Sequence, residues 1–180
     1  MKLLLAILVA LVFCYSAAAA YQIPKLNQVS GIFAMHKETV LCYDPGEPGD
    51  PYSMGAWGYV LTYDRTTVNL TKEMCDGIVA VIRHDTSIPA WERAVGVLVL
   101  VHESYHARYW AGNNSEALVE CKAIRHWAYG MKFLGATPQE IQQLLPYALA
   151  FHFREEEKFR EYDLHSCNTP WYYPPGGPRK

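Results

Sequence analysis

Clustered positive charge is the first thing this chain lacks. Its 16 Lys and Arg residues face 18 Asp and Glu, for a formal net charge of -2 at pH 7. They form no stripe of the kind that meets a phosphate backbone, so nucleic acid is not an expected partner. Cysteine is scarce, at five residues in 180. No two cysteines stand at C-x-x-C spacing, which argues against a cysteine-ligated metal site. No segment repeats. After residue 20, the apolar run from Ala94 to Val101 falls far short of the ~20 residues a membrane span needs.

The N-terminus carries a different signal. Met1-Lys2 precedes an apolar run from Leu3 to Phe13, and small residues end in Ala17-Ala18-Ala19-Ala20. That is the pattern of a secretory signal spanning 1–20, with cleavage expected before Tyr21; a retained anchor is the alternative. Cys14 follows Val12-Phe13, too bulky for a lipoprotein cleavage site. The mature chain is expected to be extracytoplasmic, monomeric and free of the membrane. It loses Lys2, which leaves 15 basic against 18 acidic residues, or -3. No pro-segment is evident, so latency by a pro-peptide is not expected. The remaining cysteines, Cys42, Cys75, Cys121 and Cys167, are even in number, which in an exported chain implies two disulfides. Three pairings are possible. The favoured one joins Cys42 to Cys75 across the N-terminal half and Cys121 to Cys167, tying down the tail. Asn69-Leu70-Thr71 and Asn113-Asn114-Ser115 are glycosylation sequons.

Residues 21–167 are long enough for a single domain with its own core. Tyr21 to Ser53, rich in Pro, Gly and Asp, reads as loop with a short strand near Thr39–Tyr43. Trp57 to Tyr63 and Thr66 to Leu70 are β-prone runs around Asp64-Arg65, a hairpin pattern. Thr71 to Ile82 reads as a helix. Thr137-Pro138-Gln139-Glu140 is a capping box with proline at the first helical position, and predicts a helix to about Tyr162 that Pro146 kinks. Arg154 to Arg160 reads as a solvated face. Residues 168–180 form an irregular tail rich in Pro, Gly and aromatics.

The chemistry concentrates in His102-Glu103-Ser104-Tyr105-His106, an H-E-x-x-H motif. Upstream, Ser87 or a neighbour can cap a helix, Pro89 suits its first turn and Glu92 its positive end. Valine is abundant from Ala94 to Val101, so a strand competes, but length and capping favour a helix buried on all sides. On that helix the two histidines share one face, about 6 Å apart along the axis, and can hold one metal ion. Glu103 points the same way and can take a proton from water at the metal. Ala111-Gly112-Asn113-Asn114 stops the helix. A second helix then runs from Glu116 to Leu134 and ends at Gly135, with Glu116 and Glu120 on one face.

Here the chain resembles the gluzincins, H-E-x-x-H zinc peptidases whose third ligand is a Glu on a following helix. The matching residues are His102, Glu103, His106, Glu116 and Glu120. Glu116-Ala117-Leu118-Val119-Glu120-Cys121 is similar to the E-A-x-x-E-C pattern of small single-domain gluzincins. The pattern departs from the metzincins, because Tyr109 and Gly112 occupy their Gly and last His positions. The resemblance implies an α+β, zincin-like fold: a small N-terminal antiparallel sheet over a buried active-site helix, then a helical C-terminal half. It implies Zn²⁺ on His102, His106 and Glu116, with Glu120 holding a ligand histidine from behind and Glu103 as general base. The activity implied is hydrolysis of peptide or protein substrates, endopeptidase cleavage foremost, with the sheet's edge strand pairing an extended substrate.

An oxyanion donor is also expected. His152, Tyr147, His126 and Arg154 have the right chemistry, though each also reads as ordinary packing or a surface contact. His36, His84 and His165 read as ordinary residues, and Tyr109 and Trp110 as core. Two rivals stand beside this reading. One is a disulfide-stapled secreted binding protein on the same scaffold; the other keeps the chemistry but makes Glu120 the third ligand.

Overall fold

The structure, a computed structural model, describes residues 21–61, 63–109 and 116–158, with side chains described as far as 154. The expected signal 1–20, Trp110, the second sequon at Asn113, His165, Cys167 and the tail 168–180 lie outside the described residues. The fold is α+β, with a small four-stranded sheet in the N-terminal part and five α-helices among the described residues. None of those helices is long and apolar enough to cross a membrane.

The strands are β1 (Tyr21–Gln22), β2 (Thr39–Tyr43), β3 (Gly58–Leu61) and β4 (Asp64–Thr71), in the order β1-β2-β4-β3. The expected Asp64-Arg65 hairpin forms as the antiparallel β3–β4 pair, and the expected short strand is β2. The sheet, however, is mixed rather than antiparallel, because β2 and β4 run parallel. The connection 44–57 is long enough to carry the chain past a vacant strand position. It places β3 at the far edge, and the return strand β4 fills the gap beside β2. Alternation sets the faces: Val40 and Cys42 of β2 lie beside Val68 and Leu70 of β4 on the buried side. Asn69 is on the other face yet is only 2% exposed. Its amide accepts from the Tyr43 hydroxyl at 2.9 Å and donates to the Tyr59 carbonyl at 3.3 Å.

A second departure is helix α1 (Pro24–Ala34), in a stretch expected to be loop. Pro24 supplies its first turn, and Leu26, Val29, Ser30, Phe33 and Ala34 recur on one buried face. The expected helix after β4 is α2 (Lys72–Arg83), with the Thr71 hydroxyl accepting from Met74 N–H as its cap. Then come α3 (Ala90–Tyr109), α4 (Glu116–Leu134) and α5 (Pro138–Lys158). α4 ends in a glycine cap: Gly135 takes a positive φ of 102°, and Ala136 N–H donates to the Met131 carbonyl at 3.0 Å. α5 opens on the expected capping box. Thr137 N–H donates to Glu140 at 2.7 Å, and Glu140 N–H donates back to the Thr137 hydroxyl at 3.2 Å. Pro146 lies inside α5.

α3 is the axis of the molecule. It packs against α1, α2, α4, α5, β3 and β4, and every residue from Ala94 to Ala107 is buried. Close approach is bought with glycine. A Cβ on Gly96 of α3 would stand 2.5 Å from the Met74 carbonyl of α2, and one on Gly77 of α2 would stand 2.3 Å from the Glu92 carbonyl of α3. On the opposite side Gly130 of α4 lies against Val97 and Val101. Trp127 of α4, fully buried, donates its indole N–H to the Ala94 carbonyl at 2.9 Å. A disulfide joins Cys42 of β2 to Cys75 of α2, as expected. Cys121 is also disulfide-bonded; its expected partner, Cys167, lies outside the described residues.

Candidate metal centre

A helix wrapped on all sides holds its side chains in fixed directions, and α3 uses this near its C-terminal end. There the apolar run gives way to His102, Glu103 and His106, all buried. They face a cleft of about 290 Å³ lined also by Gly58, Tyr59 and Val60 of the edge strand β3 and by Glu116. Glu116 enters because it is the first residue of α4, where a carboxylate also suits the helix dipole.

The donor atoms converge. His102 Nε2 and His106 Nε2 are 2.9 Å apart, and Glu116 Oε2 lies 3.2 Å from the first and 3.1 Å from the second. Three ligands on bonds of ~2.0–2.1 Å at tetrahedral angles stand about 3.3 Å apart, so the trio matches one face of a tetrahedral site. Two imidazole nitrogens and a carboxylate oxygen this close can share a proton or a cation. This group can hold a metal ion.

Behind the trio stands Glu120, one turn along α4. Its Oε2 accepts from His102 Nδ1 at 2.6 Å. That bond selects the tautomer with hydrogen on Nδ1 and leaves Nε2 as a lone pair facing the trio. Its other oxygen, Oε1, lies 2.6 Å from His152 Nδ1 of α5. Both oxygens of Glu120 are thus engaged away from the cleft, and Glu116 rather than Glu120 completes the donor group.

Charge follows the geometry. Burial disfavours a charge on His102, but hydrogen bonds to Glu116 and Glu120, with the charges of Glu120 and Glu103, raise its pKa well above the ordinary range. Burial works the other way on Glu116 and Glu120, and the same hydrogen bonds overcome it. Glu116 is held far below the usual carboxylate range and Glu120 at about 2. A metal ion bound here would compete with a proton on His102. Glu103 differs: burial raises its pKa, the nearby histidines oppose that, and Glu116 and Glu120 reinforce it. A raised carboxyl beside the donor trio is able to take up a proton.

None of the four residues considered for an oxyanion donor is among the described residues that line this cleft. His152 is fully buried behind Glu120. His126 Nδ1 sits 2.9 Å from the Lys122 carbonyl and 3.0 Å from the Tyr105 hydroxyl. Tyr147 and Arg154 line a separate groove with Trp91 and Phe151. Sequence placed these residues on the right helices, but the roll of each helix decides which face meets the cleft. Tyr109 stacks on Tyr105 and packs on the core, as expected. His36 and His84 make only local and surface contacts, the latter to Glu140 at 2.9 Å. Sequence reasoning missed the cleft's other wall, Gly58 to Val60; an edge position for β3 was not legible without the strand order. Compared with protein-family models, curated proteins and solved structures, the chain matches none.

Proposed function

We propose that this chain is a secreted, zinc-dependent peptidase of small gluzincin type, with a zincin-like fold and endopeptidase cleavage as its activity. The observation that carries the proposal is the convergence of His102, His106 and Glu116 in one cleft with a buried Glu103 beside them. His102, His106 and Glu116 would hold the zinc, whose two-nitrogen, one-oxygen donor set is that of a catalytic rather than a purely structural site. Zinc bound there supplies Lewis-acid chemistry, activating water near neutral pH and polarising a carbonyl.

The chain's own residues do the rest. Glu103 accepts the proton from water and passes it to the leaving amine, a task suited to a carboxyl raised by burial. Glu120 fixes the His102 ring. Among the described residues β3 pairs only with β4, so its outer edge offers backbone groups along the cleft. An extended peptide can add there as a further strand, which places its backbone across the donor trio. The expected export fits the Cys42–Cys75 disulfide, which belongs to an oxidising compartment.

The test is zinc content and peptide hydrolysis, measured on the wild type, Glu103→Gln and Glu116→Ala. Glu103→Gln is expected to keep about one zinc per chain and lose at least about 100-fold in hydrolysis. Glu116→Ala is expected to lose zinc far more readily than Glu120→Ala. Hydrolysis that survives Glu103→Gln would refute the mechanism. A zinc-loaded wild type that cleaves no peptide would favour the binding protein instead.

A further inference from the structure

We infer that His152 is a positioning residue for the metal centre, acting through Glu120 on His102. The inference rests on the zinc-site reading above and extends it to a residue on a third helix, α5. Its starting point is a side chain out of place. Leu144, Ala148 and His152 follow one another at four-residue steps along α5, and all are buried. The first two are core residues. At the third step an apolar side chain would be the inexpensive choice, yet an imidazole stands there, 0% exposed. Its Nε2 is buried without a hydrogen-bond partner among the described residues. Leaving such an atom unpaired costs about 1–3 kcal/mol, so packing does not account for the histidine.

What the ring does hold is Glu120. His152 Nδ1 donates to Oε1 and His102 Nδ1 donates to Oε2, each at 2.6 Å. A carboxylate gripped by one donor can still turn about its own bonds. Gripped by donors on opposite sides, from α3 and α5, it has a single orientation. That orientation keeps an acceptor on His102 Nδ1, which keeps the Nε2 lone pair aimed at the trio. His152 therefore sets the direction of a ligand it does not touch. α5, which supplies no ligand itself, becomes part of the site.

His152→Leu and His152→Asn separate positioning from packing. Leucine suits the apolar stripe but donates nothing. Asparagine places an amide N–H where Nδ1 stands. Zinc affinity is read by competition with a chromophoric chelator, and the hydrogen bond from His102 Nδ1–H to Glu120 by the solvent exchange of that proton in ¹H–¹⁵N NMR. The expected result is a folded His152→Leu variant with zinc bound about 10–100-fold more weakly and a faster-exchanging His102 Nδ1–H. His152→Asn should restore both to near wild type. Equal affinity and unchanged exchange of the His102 Nδ1–H in His152→Leu would overturn the inference, as would equal losses in the two variants. Should His152→Leu fail to fold, His152→Gln replaces it, because its amide reaches past the Nδ1 position; affinity equal to that of His152→Asn would then overturn the inference. A wild type that binds no zinc would sink the metal reading alone, and the Nδ1–H exchange measurement would still decide the role of His152.

Discussion

At the scale of single residues, Glu38 is the second unusual carboxyl after those of the metal centre. It is 2% exposed and sits behind α3, next to Ser30 of α1. Among the described residues its Oε1 has no hydrogen-bond partner; His36 Nε2 stands 3.5 Å away, an ion-pair distance rather than a hydrogen bond. Ser30 Oγ lies 2.7 Å from Ser104 Oγ, and the Ser104 hydroxyl donates to the Leu100 carbonyl at 2.6 Å. With Glu38 ionised, Ser30 donates to it, and Ser104 must choose between Ser30 and Leu100. With Glu38 protonated, all three contacts are hydrogen bonds at once. Burial raises this carboxyl from 4.5 to about 7, against the Ser30 hydrogen bond and the His36 charge and with the Glu103 charge. Because the folded value lies above the unfolded one, the group's stabilising contribution is complete below pH 4.5 and is lost as pH rises to about 7. At ~1.4 kcal/mol per pH unit between those values, the loss is on the order of 3 kcal/mol. Glu38→Gln should therefore gain stability relative to wild type between pH 4.5 and 8, as measured by urea unfolding at both. Parallel changes in the two proteins would refute this. At this scale the sequence was most legible at the motif, where chemistry and spacing act together. Glu38 and His152 were not legible, because their meaning depends on burial by other helices.

At the scale of elements, the α2–α3 crossing determines how steadily the motif helix is held. Gly96→Ala would ordinarily favour a helix by about 1 kcal/mol. Here the new methyl group would meet the Met74 carbonyl at 2.5 Å, and backbone cannot swing aside as a side chain can. The expected outcome is net destabilisation of about 1–3 kcal/mol by chemical denaturation, with a gain in stability as the refuting result. Elements with local signals were readable. The capping box of α5, the Gly135 stop of α4 and the β3–β4 hairpin all depend on residues within a few positions of one another. α1 carried its signal too, in Pro24 and the Leu26, Val29, Ser30, Phe33 and Ala34 spacing, but the Pro, Gly and Asp of the following stretch overshadowed it. The parallel β2–β4 pairing had no local signal. Strand order is a matter of which slot the chain fills after residues 44–57, and nothing nearby in sequence encodes that.

At the scale of the whole molecule, the candidate metal centre and the disulfide serve different halves. The donors come from α3 and α4, while Cys42–Cys75 joins β2 to α2 across a separation of 33 residues. Closing a loop of that length is worth about 3–4 kcal/mol in the chain-entropy account. A Cys42→Ala/Cys75→Ala variant should lose about that much in denaturant unfolding while keeping its zinc stoichiometry under native conditions. Loss of zinc from a still-folded variant would show that the halves are coupled more tightly than the separation of their residues implies. The sheet has one more consequence. Asn69 opens a glycosylation sequon, yet its side chain is walled in between Tyr43 and Tyr59. A sugar can reach that nitrogen only on a nascent strand, and once attached it bars β4 from its place between β2 and β3. In a glycosylating host, oligosaccharide transfer and strand insertion are therefore competitors in time, and every chain that folds has outrun the transferase at Asn69.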